Sequence, residues 1–150
     1  MLRHTGRIGY LPQRLTHLND EASIFETVRE AAPYTPPGEV RANLARLLFR
    51  GDIIHQRIGT LSGGERFRVA LARLLLAEPP HQLLVLDEPT NNLDLDSINQ
   101  LIDALNSYRG GLLVVSHDDA FLTSLNIDTW LSLDAEGLRQ ATSPPERKED

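Results

Sequence analysis

The stretch Leu83–Asp94, LLVLDEPTNNLD, joins a continuous apolar run to two adjacent carboxylates and a polar turn. A second apolar run, LLVVS, follows at Leu112–Ser116. Uninterrupted apolar runs of this length predict strands that are buried on both faces, as in a parallel sheet. Residues 96–108 between them carry apolar side chains at helical spacing. Together the three segments predict a βαβ unit and an α/β fold.

Composition indicates a globular protein. The 150 residues are 41% hydrophobic, include no cysteine and carry a net charge of −6. The absence of cysteine excludes disulfides and cysteine-based metal sites, and the negative charge disfavours non-specific nucleic-acid binding by the whole surface. No window reaches the roughly 18 apolar residues of a membrane span, and the N-terminus lacks a signal pattern. We therefore expect a cytoplasmic protein with no membrane insertion.

The pattern changes near Pro80, where a mostly helical half gives way to an α/β half. Proline and glycine at residues 33–39 predict a loop between two helices. The other predicted elements are a strand at 7–13, a helical pattern at 16–32, helices at 40–49, 65–77 and 119–125, a connector at 51–60 and a third strand at 129–134.

The segment Leu61–Leu76, LSGGERFRVALARLLL, opens a predicted helix with two glycines, each of which costs up to about 1 kcal/mol against alanine in a helix. Ser62 and Glu65 have the spacing of a capping box, which is the usual interpretation of that pattern alone. The box does not explain Gly63 and Gly64. Without side chains, the free N–H groups of the first turn are open to an anion, and the helix dipole adds positive charge there. The turn is therefore a candidate phosphate site, with the Ser62 hydroxyl as a further donor.

Two adjacent carboxylates, Asp87 and Glu88, end the first apolar run and are expected at the carboxyl edge of the sheet, where ligands bind. An aspartate there typically holds Mg²⁺ beside a phosphate, and Glu88 is placed to take a proton from an attacking water. The alternative is a pair of solvated acids in a loop. Asn92 and Asp94 continue the polar turn, for which the alternative is helix capping by Asp94 or Asp96.

His117 follows the second apolar run, and parallel neighbouring strands would bring it near Glu88. There it is a candidate for contacting a terminal phosphate and orienting a water; the alternative is a capping or loop histidine. Gln13, just beyond the first strand, is a candidate for a metal or water contact through its amide, against the alternative of a turn residue with no role. The remaining histidines are predicted to be surface residues: His4, His17, His55 and His81.

The order of these segments resembles the ABC ATPase superfamily, in which Gln13, LSGGE, LLVLDEPTNNLD and SHD correspond to the Q-loop, signature, Walker B with D-loop, and switch histidine. The NNLD string and the segment Arg41–Glu65 are most similar to the ABC-F group. That group comprises soluble proteins with two ATPase domains in one chain, similar to translation and antibiotic-resistance factors that act on the ribosome. The resemblance runs from about Arg7 to Leu138; one departure is Asp119, where many relatives have arginine.

The resemblance implies a partial P-loop NTPase domain, in which a helical subdomain joins an incomplete, mostly parallel sheet with flanking helices. Residues 1–13 would form a core strand and the Q-loop, and residues 14–79 the helical subdomain with the signature. Residues 80–138 would form the RecA-like α/β portion, and residues 139–150 a polar tail.

The resemblance also implies a head-to-tail sandwich of two ATPase domains with ATP and Mg²⁺ between them. The signature residues Ser62, Gly63 and Gly64 would contact the γ-phosphate of ATP held by the second domain. The D-loop residues Asn92 and Asp94 would lie at the interface, where Asp94 would signal across it.

Within the domain's own half of the site, the resemblance implies that Asp87 and Gln13 serve Mg²⁺. Glu88 would be the general base for water, and His117 would support the transition state. These assignments describe an ATPase that couples ATP binding and hydrolysis to conformational change on the ribosome.

The sequence contains no G-x-x-x-x-G-K-[ST] string, and its single lysine, Lys148, is beside no glycine loop. We therefore expect the C-terminal portion of one ATPase domain, nearly inert by itself. In the family, the P-loop strand lies between the switch-histidine strand and the strand at 129–134. Without it, either a gap remains or the last strand packs elsewhere. An open sheet edge invites self-association, and we expect marginal stability.

Two other functions remain open. The first is a piece of a transporter's ATP-binding subunit. The strings NNLD and ARLLFRGD (Ala45–Asp52) favour the ABC-F group over this alternative. The second is a non-catalytic module that presents the signature turn to a partner domain, which the missing P-loop lysine favours. Glu88 and His117 instead favour a catalytic parent protein, because a binding module has no evident need for them.

Overall fold

The structure is a computed structural model that describes residues 6–143, in which there are five strands and five α-helices. The strands are β1 (Ile8–Leu11), β2 (Leu83–Asp87), β3 (Gly111–Val115), β4 (Trp130–Asp134) and β5 (Gly137–Ala141). The helices are α1 (Ile24–Ala31), α2 (Pro37–Arg46), α3 (Gly63–Leu75), α4 (Leu95–Ser107) and α5 (Asp119–Ser124). Two short 3₁₀ turns, Gly51–His55 and Ile58–Thr60, join α2 to α3.

The first three strands form a parallel sheet with β2 in the centre. Helix α4 connects β2 to β3, so the predicted βαβ unit is present. Because the strands are parallel, their carboxyl ends share one edge of the sheet. The segments that follow the three strands are therefore brought together, although they are far apart in sequence.

The helices begin where the local sequence satisfies their free N–H groups. Ser23 caps α1 with a capping box: its hydroxyl accepts from the Glu26 N–H at 3.1 Å, and the Glu26 carboxylate accepts from the Ser23 N–H at 2.8 Å. Helix α2 starts three residues before the predicted 40–49 because Pro37, at its first position, has a dihedral suited to a helix. Helix α3 starts at Gly63 rather than at 65.

One hydrophobic core extends through both halves of the chain. It contains Ile24 of α1, Leu71 of α3, Leu84 of β2 and Leu101 of α4, all at most 1% exposed. Helix α3 lies centrally, since it packs against α1, β1 and α4. The helical half is therefore packed directly on the sheet, which fixes the start of α3 relative to the sheet edge.

The prediction that the strands are buried on both faces is wrong for β3, where burial alternates along the strand. Leu113 and Val115 are 44% and 51% exposed, and Ile8 and Tyr10 of β1 are 52% and 53% exposed. Within residues 6–143, the helices therefore cover only one face of the sheet. The apolar sequence alone does not reveal this, because it is the same whether one or both faces are covered.

The strand predicted at 129–134 lies outside the main sheet. Strand β4 pairs antiparallel with β5 in a separate two-stranded sheet, so the last strand does pack elsewhere. Asp134 pairs with Gly137, whose φ of +120° closes the tight turn between the strands. This local hairpin requires no distant strand. It reaches Ala141 and so includes the first three residues of the predicted tail, whose residues 144–150 lie outside the described part.

Candidate functional site

Two acidic residues stand at the carboxyl end of the central strand. Asp87 is the last residue of β2, and Glu88 has a φ of +47°, in the left-handed region that non-glycine residues seldom adopt. The Glu88 N–H donates to the carbonyl oxygen of Val115 at 2.8 Å, which ties this turn to β3. Such backbone strain is concentrated at functional sites, where the surrounding structure holds it in place.

Glu88 and His117 lie together, as predicted from the adjacency of their strands. The Nε2 atom of His117 is 3.3 Å from Oε1 of Glu88, and the His117 N–H donates to Oε2 at 3.3 Å. The Glu88 side chain is 16% exposed and that of His117 is 86% exposed. The arrangement holds a shielded carboxylate beside an accessible imidazole, which suits a base that receives a proton from water.

Gln13 is an exposed residue two positions beyond β1, at the same sheet edge as Asp87. Among residues 6–143, no group of three His, Cys, Asp or Glu side chains is arranged to hold a metal ion. Mg²⁺ requires no such cage, because it is usually held by one or two carboxylates together with waters and substrate phosphates. The Asp87 carboxylate and the Gln13 amide are therefore suitable donors for Mg²⁺ that arrives with a nucleotide.

The glycine turn at the start of α3 has the predicted capping box. The Ser62 hydroxyl accepts from the Glu65 N–H at 3.3 Å, and the Glu65 carboxylate accepts from the Ser62 N–H at 2.8 Å. The box leaves the N–H groups of Gly63 and Gly64 unused. Ser62 and Gly63 are exposed, so the capping box leaves the turn accessible, and anion binding by the turn stays a prediction.

The two glycines of this turn differ in their surroundings. A Cβ atom at Gly63 would meet nothing within 4 Å, whereas one at Gly64 would lie 3.1 Å from Oγ of Ser97. No neighbouring atom accounts for the missing side chain at Gly63, where access for a ligand stays a prediction. At Gly64, the close approach of α4 accounts for the missing side chain. Ser97 was not predictable as part of this region, because a serine three residues after a helix cap has no distinctive pattern.

Asp94, rather than Asp96, caps α4: its Oδ1 atom accepts from the Ser97 N–H at 2.7 Å. Hydrogen bonding by Ser97, foremost its N–H, holds the pKa of Asp94 below the usual range, and the charge of Arg68 adds to this. Asn92, in the preceding turn, has a φ of +61°. The capping interpretation of Asp94 is thus confirmed, while its place at an interface stays a prediction.

The lowered pKa of Asp94 predicts acid sensitivity. A carboxyl with a depressed folded pKa stabilises the protein above its unfolded pKa, about 4, and this contribution is lost as pH falls through the folded value. We expect Asp94→Asn, which keeps a capping oxygen, to reduce the loss of stability between neutral and acidic pH. Urea unfolding midpoints at several pH values measure this. Asp96→Asn is the matched control, and an equal effect of both substitutions would contradict the prediction.

His81 is not the surface residue that the sequence predicted. Its Nδ1 atom is buried, and its ring lies so close to Gly9 that a Cβ there would come within 2.8 Å. The His81 carbonyl oxygen also accepts from the Tyr108 hydroxyl at 2.8 Å. His17 and His55 are exposed, as predicted, and His4 lies outside the described residues.

Comparison with known proteins matches residues 2–91 to the ABC transporter family. The chain is 36% identical over 134 residues to ATP-binding cassette sub-family F member 3 of Mus musculus, covering 87% of this chain and 19% of that protein. It is 38% identical over 117 residues to ABC transporter F family member 2 of Arabidopsis thaliana, covering 77% of this chain and 17% of that protein. A solved ATP-binding subunit of an ABC transporter aligns with a TM-score of 0.61 and 25% identity, over 76% of this chain and 50% of the other.

The chain belongs to the ABC transporter family, and sub-family F proteins are among its relatives. It spans less than a fifth of the length of the two relatives named above. The family binds ATP with Mg²⁺. The mixed α/β fold of this chain is that of an ABC ATPase domain, as the sequence predicted. Within residues 6–143, no helix combines the length and apolar character needed to cross a membrane.

Proposed function

We propose that this chain supplies two parts of an ATPase that couples ATP binding and hydrolysis to conformational change. The observation that carries the proposal is the pairing of Glu88 with His117 at 3.3 Å, on the sheet edge that Asp87 also occupies. A shielded carboxylate next to a predicted magnesium ligand is the arrangement needed to activate water beside a bound phosphate.

The first part is the signature turn, which faces a second ATPase domain in a head-to-tail sandwich. Ser62, Gly63 and Gly64 contact the γ-phosphate of ATP held by that domain. The open space around Gly63 and the unused N–H groups of the turn support this role. Asn92 and Asp94 lie in the same interface, and the exposure of both residues is consistent with that position.

The second part is the sheet edge, which serves ATP bound to the chain's own domain. Asp87 and Gln13 hold Mg²⁺, which when bound neutralises phosphate charge. Glu88 takes the proton of the attacking water, and His117 contacts the terminal phosphate. In this proposal, residues 1–13 and 80–138 belong to the α/β core, residues 14–79 form the helical subdomain, and the chain after residue 138 contributes no catalytic group.

The cellular role that we favour is action on the ribosome, because the relatives include sub-family F proteins. A transporter subunit is the second candidate, favoured by the structural likeness to an ATP-binding subunit of an ABC transporter. A purely non-catalytic module, favoured by the lack of a G-x-x-x-x-G-K-[ST] string, leaves the Glu88–His117 pair without a purpose.

The proposal is tested by ATP turnover in two settings. The 150-residue chain alone is expected to give no measurable hydrolysis, because positioning of the phosphates by a P-loop is missing from its sequence. A chimera that carries this chain's aligned segment in the mouse sub-family F protein is expected to hydrolyse ATP like the unmodified host. The proposal would be contradicted if the chain alone hydrolysed ATP and Glu88→Gln abolished that turnover. It would also be contradicted if the chimera folded but hydrolysed no ATP while the unmodified host did.

We also expect the chain alone to self-associate. Within the described residues, β3 pairs only with β2, and its sequence, GLLVV, carries no charge that would block pairing with another chain. Leu113→Lys is expected to shift the sedimentation profile toward monomer. Leu133→Lys, on the separate hairpin and 78% exposed, is the matched control. A wild-type chain that sediments as a monomer at high concentration would contradict the prediction.

A further inference from the structure

The first turns of α3 and α4 lie against each other through one close contact. Ser97 is fully buried. A Cβ placed at Gly64 would lie 3.1 Å from Oγ of Ser97 and 3.7 Å from Oδ2 of Asp94. This hydroxyl forms no hydrogen bond of normal geometry with any described residue. The small side chain of Ser97 lets α4 approach Gly64 this closely, while the hydrogen bond from the Ser97 N–H to Asp94 fixes the start of α4.

The start of α4 is joined to Glu88 by a short series of hydrogen bonds. The Asn91 N–H donates to the carbonyl oxygen of Glu88 at 3.2 Å, and the Leu93 N–H donates to that of Thr90 at 3.2 Å. The Asp94 cap on Ser97 then closes the connection. Two consecutive turns and a capped helix leave this connection, residues 88–97, little freedom to change its length.

Helix α3 is also anchored to the end of α2, through Arg68. Arg68 lies one turn after Gly64, and its charge helps to lower the pKa of Asp94. Its Nη1 atom donates to the carbonyl oxygen of Leu47 at 3.3 Å, and its guanidinium lies 5.2 Å from the centre of the Phe49 ring. The beginning of α3 is therefore held between the end of α2, at Arg68, and the start of α4, at Gly64.

We propose that Ser97 is a positioning residue that seats the signature turn against α4 and so fixes that turn relative to the Glu88–His117 pair. The inference rests on the proposed function, in which the turn and the pair serve two different nucleotides. Residues 88–97 then make one rigid connection between the two parts within a single domain. Displacement of the turn at Gly64 is transmitted to Glu88, and displacement of Glu88 is transmitted to the turn.

The test compares three variants of the 150-residue chain, all made in the Leu113→Lys background that is expected to be monomeric, by urea unfolding and by amide NMR spectra. Gly64→Ala places a methyl group against Ser97 and is expected to raise the unfolding equilibrium constant about tenfold. It is also expected to shift the amide resonances of Glu88 and His117. Gly63→Ala, which meets no neighbour, is the matched control and is expected to leave both unchanged or to stabilise the chain slightly. Gly64→Ala/Ser97→Ala removes the obstructing oxygen and is expected to restore both measurements.

Each outcome decides the proposal without ATP, so its failure is distinct from failure of the proposed ATPase function. Restoration of the Glu88 and His117 resonances by Ser97→Ala supports it. A destabilised Gly64→Ala variant with unchanged Glu88 and His117 resonances would overturn it, because Ser97 would then be ordinary packing. If Gly64→Ala does not fold, the double variant decides: a folded chain with native resonances supports the proposal, and an unfolded one overturns it.

Discussion

Glu88→Gln is expected to lower ATP turnover of the chimera by about 10²- to 10⁴-fold, the usual contribution of a general base. The amide keeps the size of the side chain and one oxygen, but it does not accept a proton from water. Nucleotide binding should remain, because Glu88 is proposed to act on the water and not on the nucleotide. Turnover and ATP affinity, measured on the same preparation, separate these two effects.

A matched control for that substitution is Glu39→Gln, since Glu39 is exposed on α2, away from the sheet edge. It removes the same charge by the same chemical change and is expected to leave turnover unaltered. Equal turnover in the Glu88→Gln and Glu39→Gln chimeras would contradict the role of Glu88. Loss of ATP binding together with turnover would show instead that the Glu88 carboxylate organises the nucleotide site.

Leu101→Ala is expected to have the largest effect on stability among single truncations in α4. Leu101 is fully buried between α4 and the rest of the core. Removing a buried leucine side chain costs about 2–5 kcal/mol, through lost transfer energy and the cavity left behind. Domains of this size are stable by only about 5–15 kcal/mol. The urea midpoint is therefore expected to fall by roughly 1–3 M.

The same helix supplies the control, Leu95→Ala. Leu95 is 72% exposed, so truncating it removes little buried surface and is expected to change stability by less than about 0.5 kcal/mol. The pair isolates burial, because the substitution and the helix are the same. Equal losses for Leu95→Ala and Leu101→Ala would contradict the placement of α4 on the core.

Local patterns in the sequence predicted much of the fold and of the site. The apolar run at Leu83–Asp87 is observed as β2 with the predicted bounds, because a short apolar run between polar turns has few alternatives. The adjacency of Glu88 and His117 followed from two parallel strands joined by one helix. The capping box at Ser62 and Glu65 depends on residues three apart, so it was also predictable.

Features that depend on distant contacts were not predictable in the same way. The pairing of β4 with β5 requires knowing that a local hairpin replaces a place in the main sheet. The exposure of Leu113 depends on which helices cover the sheet, not on β3 itself. The contact between Gly64 and Ser97 joins residues on two helices, and neither has a sequence pattern that identifies its partner.

The most direct test of the proposed roles of the signature turn and the sheet edge is a structure of the Glu88→Gln chimera with ATP and Mg²⁺. We predict that the γ-phosphate of ATP held by the opposing domain lies about 2.7–3.2 Å from the Ser62 hydroxyl and the Gly63 N–H. A second ATP should have its γ-phosphate beside residue 88 and His117. A structure in which ATP is bound but the Ser62 turn faces solvent, with no phosphate near it, would contradict the proposed division of the site.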